Sequence, residues 1–203
     1  MLAKYVRPLL TIPVAKLVEL MRSAGITPNM VTYTGFVLTI VSALILGGGY
    51  FRIGGFVLWG AAMFDMLDGS LARATNQSST FGAFIDSTLD RYSESITFLA
   101  LVYHYSNVSG SRMQIVLIFV ILVGSLMVSY TRARAEGLRV SVTEGWLQRP
   151  ERLTLLIAGL ILGPNILNLI LWLMAVFTNV TAFQRIFEVY WRLRNAEPQR
   201  NTA

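Results

Sequence analysis

The sequence predicts an all-α integral membrane protein: six transmembrane helices preceded by an amphipathic helix on the cytoplasmic surface. Three observations lead there. Hydrophobic residues make up 54% of the 203, charged residues only 14%, and the mean hydropathy is +0.57, which is too apolar for an ordinary soluble domain. Several apolar runs reach the ~20 residues that a helix needs to cross a bilayer. The basic residues fall in alternate connections. Lys4, Arg7, Lys16 and Arg22 precede the first run, Arg132, Arg134, Arg139, Arg149 and Arg152 crowd one later loop, and Arg192, Arg194 and Arg200 end the chain, against only Arg52 and Arg112 in the opposite connections. By the positive-inside rule both termini and the Arg-rich loop are cytoplasmic, in the cell membrane. The net charge of +6 therefore reads as topology and attraction to anionic lipid, not as nucleic-acid binding.

The surface helix comes first. Residues 2–22 carry Pro8 and Pro13 and regularly spaced basic residues, so they form neither a span nor a secretory signal. After Pro13, Val14, Leu17, Val18 and Met21 share one helical face. Six spans follow at 29–48, 53–74, 82–106, 112–136, 150–163 extended by about a turn, and 166–190. Gly47-Gly48-Gly49, the polar turn 75–80, the segment 107–110, the loop 138–149 and Gly163-Pro164-Asn165 separate them. Thr27 and Pro28 suit the N-cap and first position of the opening span. The whole chain, 1–203, reads as one domain: surface helix to residue 25, bundle over 26–195, tail over 196–203.

The chemistry concentrates between Asp65 and Asp90, where four of the eleven acidic residues lie within apolar flanks. Asp65 and Asp68 share one helix face, and Asp86 and Asp90 share a face of the next. A hairpin of those helices gathers four carboxylates. Each Asp at the centre of a membrane helix costs roughly 2.5–3.5 kcal/mol before mutual repulsion, so one or two hard divalent cations are the natural remedy. Such ions would bind and polarise phosphate. Cysteine is absent and His104 is the sole histidine, which excludes thiolate or histidine-based metal sites. His104, near the outer end of the third span, reads as interfacial, and so do Trp146, Trp172, Tyr190 and Trp191.

Asp65, Asp68, Gly69, Ala72, Arg73, Gly82, Asp86 and Asp90, at these spacings, resemble the signature of the CDP-alcohol phosphotransferase family. The resemblance extends to Thr27-Pro28-Asn29 through Thr32, to SYTRARAE at 129–136 and to RPERL at 149–153, segments similar to the branch that makes phosphatidylinositol phosphate. It implies transfer of the phosphatidyl group of CDP-diacylglycerol to inositol 1-phosphate, with release of CMP, by a membrane homodimer. Two Mg²⁺ ions, replaceable by Mn²⁺, would sit on Asp65, Asp68, Asp86 and Asp90, with Asp90 as general base. Asn29, Thr32, Gly69, Arg73 and Ser79 would contact the CDP group.

Arg132, Arg134 and Arg152 converge on one membrane face as a cradle for the acceptor's phosphate. Arg185, at membrane depth in the last span, joins them. Arg139 and Arg149 read as background positive-inside charges, and Arg91 with Glu94 as a local ion pair. Two alternatives stand beside this reading. The same chemistry with glycerol 3-phosphate would make phosphatidylglycerol phosphate, and intramembrane carboxylates also line cation transporters.

Overall fold

The computed structural model of the chain describes residues 16–77, 79–142 and 145–200, the last five of these in backbone only. Among the described residues the protein is all helix, with no strand. Helix α1 covers 16–23. Then come α2 (Pro28–Gly47), α3 (Phe51–Ala74), α4 (Thr80–Ser106), α5 (Arg112–Gly137), α6 (Arg149–Leu162) and α7 (Pro164–Arg200).

Local chemistry sets the ends. The Thr27 side chain accepts from the Met30 N–H at 3.4 Å, and Pro28, which has no N–H to leave unpaired, opens α2. Ser79 caps α4 in the same way, accepting from Gly82 N–H at 2.9 Å. Gly49 and Gly163 turn the chain at φ +85° and +114°, values that a side chain resists.

The six long helices close a ring in which each packs on two others. α2 lies against α3 and α4, α6 against α3 and α7, and α5 against α4 and α7. Leu46, Phe98, Leu101, Ile121, Leu160 and Leu171 are buried inside it. The outside is apolar too: Val37, Leu44, Phe56, Trp59, Phe119 and Phe187 are each more than half exposed. Water would penalise so continuous a coat; lipid suits it.

Three helices are long and apolar enough to cross a bilayer: Pro28–Gly47, Arg112–Gly137 and Pro164–Asn195. α3 and α4, at 24 and 27 residues, have the length, but they carry the carboxylates and their partners. α6 departs from expectation. It runs from Arg149 to Leu162, 14 residues or about 21 Å of helix, without the extra turn expected of a 150–163 span. α7 departs in the other direction and runs helical through the stretch expected as a tail, as far as Arg200. Of the expected surface helix, residues 1–15 lie outside the described residues. Its last part, α1, tucks Val18 and Met21 against Val31, Leu67 and Leu71 of α2 and α3, and leaves Leu20 exposed.

Gly124 lets α5 and α7 touch, since a Cβ there would lie 2.5 Å from Thr178 Oγ1 and 2.8 Å from Asn179 Nδ2. Gly124→Ala is expected to cost about 1–3 kcal/mol through overpacking. Thermal unfolding in detergent checks this, with Gly137→Ala, whose Cβ meets open space, leaving the midpoint in place.

Candidate active site

The last turns of α3 and the first turns of α4 carry their carboxylates to one end of the ring. Asp65, Asp86 and Asp90 offer oxygens within 4.8 Å of one another. Asp68, which is buried, is held slightly apart. Its Oδ2 accepts from Thr32 Oγ1 at 2.6 Å and its Oδ1 from the Gly69 N–H at 2.5 Å.

Two arginines of α6 answer this charge, reaching Asp65 on the adjacent α3 and the acids of α4 across the ring. Arg149 Nη1 donates to Asp65 Oδ2 at 2.8 Å, and its Nη2 lies 2.5 Å from Asp90 Oδ1. One turn further on, Arg152 is 1% exposed and forks onto Glu94, with Nε to Oε1 at 2.8 Å and Nη2 to Oε2 at 3.0 Å. Asp90 and Glu94 are themselves one turn apart on α4, so two charged rungs join α4 to α6. The expected local pair of Arg91 with Glu94 is therefore corrected. Arg91 donates to Ser87 O at 2.5 Å and lies 3.4 Å from Asp90, while Glu94 turns inward, because a buried guanidinium needs its counter-charge. Arg149 is likewise no background charge.

Two spaces flank the carboxylates. An inner cavity of about 50 Å³ lies among α2, α3, α4, α6 and α7 and is bordered by Asp65, Asp90, Glu94, Arg149 and Arg152. An outer cleft of about 200 Å³ is bordered by Asp68 and Asp86. Thr32 lies on the boundary and borders both. All five residues expected to meet the CDP group, Asn29, Thr32, Gly69, Arg73 and Ser79, line the outer cleft. Gly82 keeps that cleft open, since a Cβ would come 2.9 Å from Ser79 Oγ and 3.6 Å from Asn29 Oδ1.

The four arginines expected to hold the acceptor phosphate lie on α5, α6 and α7. Arg152 borders the inner cavity. Arg132 and Arg134 lie exposed on α5, with Arg132 2.9 Å from Glu136. Arg185 is buried on α7, where its Nη1 donates to Val128 O at 2.6 Å. The donor set of the cluster is hard carboxylate oxygen throughout, and a guanidinium already bridges two of its members, so the site fits a divalent cation.

Residues 25–181 match the family described as CDP-alcohol phosphatidyltransferase. The chain belongs to that family. As a CDP-alcohol phosphatidyltransferase it is a membrane enzyme of phospholipid synthesis, which leaves no place for the cation-transporter alternative. It is 37% identical over 172 residues to the phosphatidylinositol phosphate synthase of Mycobacteroides abscessus, covering 82% of this chain and 78% of the relative. It is 34% identical over 195 residues to the archaetidylinositol phosphate synthase of Pyrococcus horikoshii, covering 95% and 98%. The fold matches the crystal structure of the Mycobacterium tuberculosis phosphatidylinositol phosphate synthase with CDP-DAG bound at a TM-score of 0.82 and 31% identity, over 87% of this chain and 93% of that one. The same enzyme in complex with manganese and citrate matches at 0.82 over 87% and 88%.

Sequence reasoning missed the roles of Glu94 and Arg149 in this phosphatidyltransferase. A signal existed: Glu94 continues the Asp86, Asp90 spacing by one more turn, and Arg149 with Arg152 repeats a turn on α6. Glu94→Ala would leave Arg152 buried and unpaired, at an expected cost of about 3–5 kcal/mol. Replacing both with apolar residues of similar size, as in Glu94→Leu with Arg152→Met, should recover most of that loss in a thermal unfolding measurement.

Proposed function

We propose that the enzyme transfers the phosphatidyl group of CDP-diacylglycerol to a hydroxyl of inositol 1-phosphate and releases CMP. The observation that carries this reading is the division of the carboxylates between an outer cleft lined by the nucleotide-type residues and an inner cavity bordered by arginines. Donor and acceptor would then meet at Asp65, Asp86 and Asp90. The acceptor draws support from the relatives, whose names pair inositol phosphate with two different lipids, phosphatidyl and archaetidyl. Resemblance to both favours the part of the product they share, and glycerol 3-phosphate is the weaker choice.

Asp65, Asp68, Asp86 and Asp90 would hold two Mg²⁺ ions, with Mn²⁺ as substitute. When bound, the ions supply the positive charge that binds a diphosphate and stabilises charge growing on the leaving group. Asn29, Thr32, Gly69, Arg73 and Ser79 hold the CDP moiety in the cleft, and Arg73 contributes a planar fork for phosphate. Asp90 takes the proton from the acceptor hydroxyl. That oxygen attacks the lipid-bearing phosphorus as the bond to the CMP oxygen breaks. Arg132, Arg134, Arg152 and Arg185 make the positive field that draws in a phosphorylated acceptor, with Arg152 nearest to Asp90.

Six crossings, with α1 at the cytoplasmic surface and both termini and the site on the cytoplasmic side of the cell membrane, agree with the basic-residue distribution. The lipid then enters from the bilayer, and CMP and the acceptor exchange with the cytoplasm.

The test is CMP release by purified protein in detergent with CDP-diacylglycerol, Mg²⁺ and one acceptor at a time. Release is expected with inositol 1-phosphate and not with glycerol 3-phosphate, and Asp90→Asn should lower kcat by about 10²–10⁴. Release with glycerol 3-phosphate alone would overturn the acceptor. An Asp90→Asn enzyme of full activity would overturn the base.

A further inference from the structure

Arg149 takes no part in the transfer just described, yet its guanidinium lies among the reacting groups. Nη1 is 2.8 Å from one Asp65 oxygen, Nη2 is 3.4 Å from the other, and Nη2 is 2.5 Å from Asp90 Oδ1. Its fork thus engages both oxygens of Asp65 and one of Asp90. These are two of the three carboxylates whose oxygens converge within 4.8 Å.

A divalent cation on those carboxylates and a guanidinium on the same carboxylates would be like charges only a few ångström apart, each drawing on the same lone pairs. The two are alternatives. We propose that Arg149 is a built-in competitor of the metal: its guanidinium bridges Asp65 and Asp90 until a divalent ion takes these carboxylates, and then swings away. This rests on the reading that the carboxylates hold a metal.

The surroundings suit such an exchange. Arg149 is the first residue of α6 and is followed by Pro150, so no preceding helical turn packs against its side chain. One turn later, Arg152 and Glu94 lock α6 to α4 through a bidentate, buried pair. The helix is anchored independently of Arg149, and the arginine can leave without moving it. The exchange does two things. It keeps three neighbouring carboxylates compatible with an apolar bundle when no ion is bound, because their repulsion is offset by a charge the chain carries itself. It also masks Asp90: while Nη2 occupies Oδ1, that oxygen does not accept a proton from an acceptor hydroxyl. Metal loading withdraws the guanidinium, and the Asp90 oxygen that the ion does not ligate is left to the acceptor hydroxyl.

The experiment uses the full chain in detergent, stripped with EDTA and titrated with Mn²⁺ alone, with free Mn²⁺ read by its electron paramagnetic resonance signal. Removing a positive charge a few ångström from the ion should tighten Mn²⁺ binding about tenfold or more in Arg149→Gln. In EDTA the same variant should unfold at a lower temperature than wild type, and saturating Mn²⁺ should close the gap. Arg149→Lys, whose compact ammonium cannot fork across two carboxylates, should fall between the two in affinity.

Equal or weaker Mn²⁺ binding by Arg149→Gln, with wild type saturating normally, would overturn the competition and leave the metal reading standing. Absence of saturable binding in wild type and variant alike would overturn both. Should Arg149→Gln fail to fold, Arg149→Lys carries the comparison, and an unchanged Mn²⁺ affinity there would equally overturn the competition.

Discussion

Carboxylates inside an apolar helical ring must be matched by positive charge, and in this enzyme two arginines on the first turn of α6 supply it from across the bundle. Arg149 reaches Asp65 and Asp90, and Arg152 reaches Glu94. Pairs of this kind are poor sources of net stability, because desolvation consumes much of their attraction. Their effect is on arrangement. α4 and α6 are not packing partners in the ring, and the two rungs fix the spacing and register between them. That spacing leaves an inner cavity on one side of the carboxylates, while the polar start of α2 and the Ser79 cap of α4 shape the cleft on the other.

The same constraint accounts for features that look unrelated in isolation. α3 and α4 fall short of an ordinary membrane helix in composition because the site is built from their facing turns. Asp68 is accommodated by Thr32, a hydroxyl from α2, and so the first turn of the opening span belongs to the site as much as to the helix cap. The short α6 begins with the arginines at the level of the carboxylates. The apolar outer surface then places this charged interior within reach of lipid from the side.

Much of this was legible in the sequence. The ends of α2, α3, α4 and α5 lie within a few residues of expectation, because Pro28, the glycine run at 47–49, the polar turn at 75–80 and the segment 107–110 each break a helix for a local reason. The carboxylate spacing marked the site, and the residues assigned to the nucleotide line one cleft. What stayed hidden depends on the third dimension. Helical spacing tells which face Glu94 and Arg152 occupy, not that those faces meet across a ring; spacing alone pairs Glu94 with its neighbour Arg91 and leaves Arg149 as a background charge. The continuation of α7 to Arg200 was obscured by its loss of apolar character. The Glu188–Arg192 pair, one turn apart, supports the turn that leads into it.

On the proposed function, Asp65, Asp86 and Asp90 form the metal-binding junction between the lipid-nucleotide cleft and the arginine-bordered cavity. The most direct measurement is anomalous diffraction at the manganese edge from crystals grown with Mn²⁺ and CDP-diacylglycerol. Anomalous peaks are expected within coordination distance of these carboxylates, with the diphosphate beside them and the cytidine toward Asn29 and Ser79. Well-ordered lipid nucleotide in the cleft with manganese bound elsewhere, or with none at the carboxylates, would contradict it.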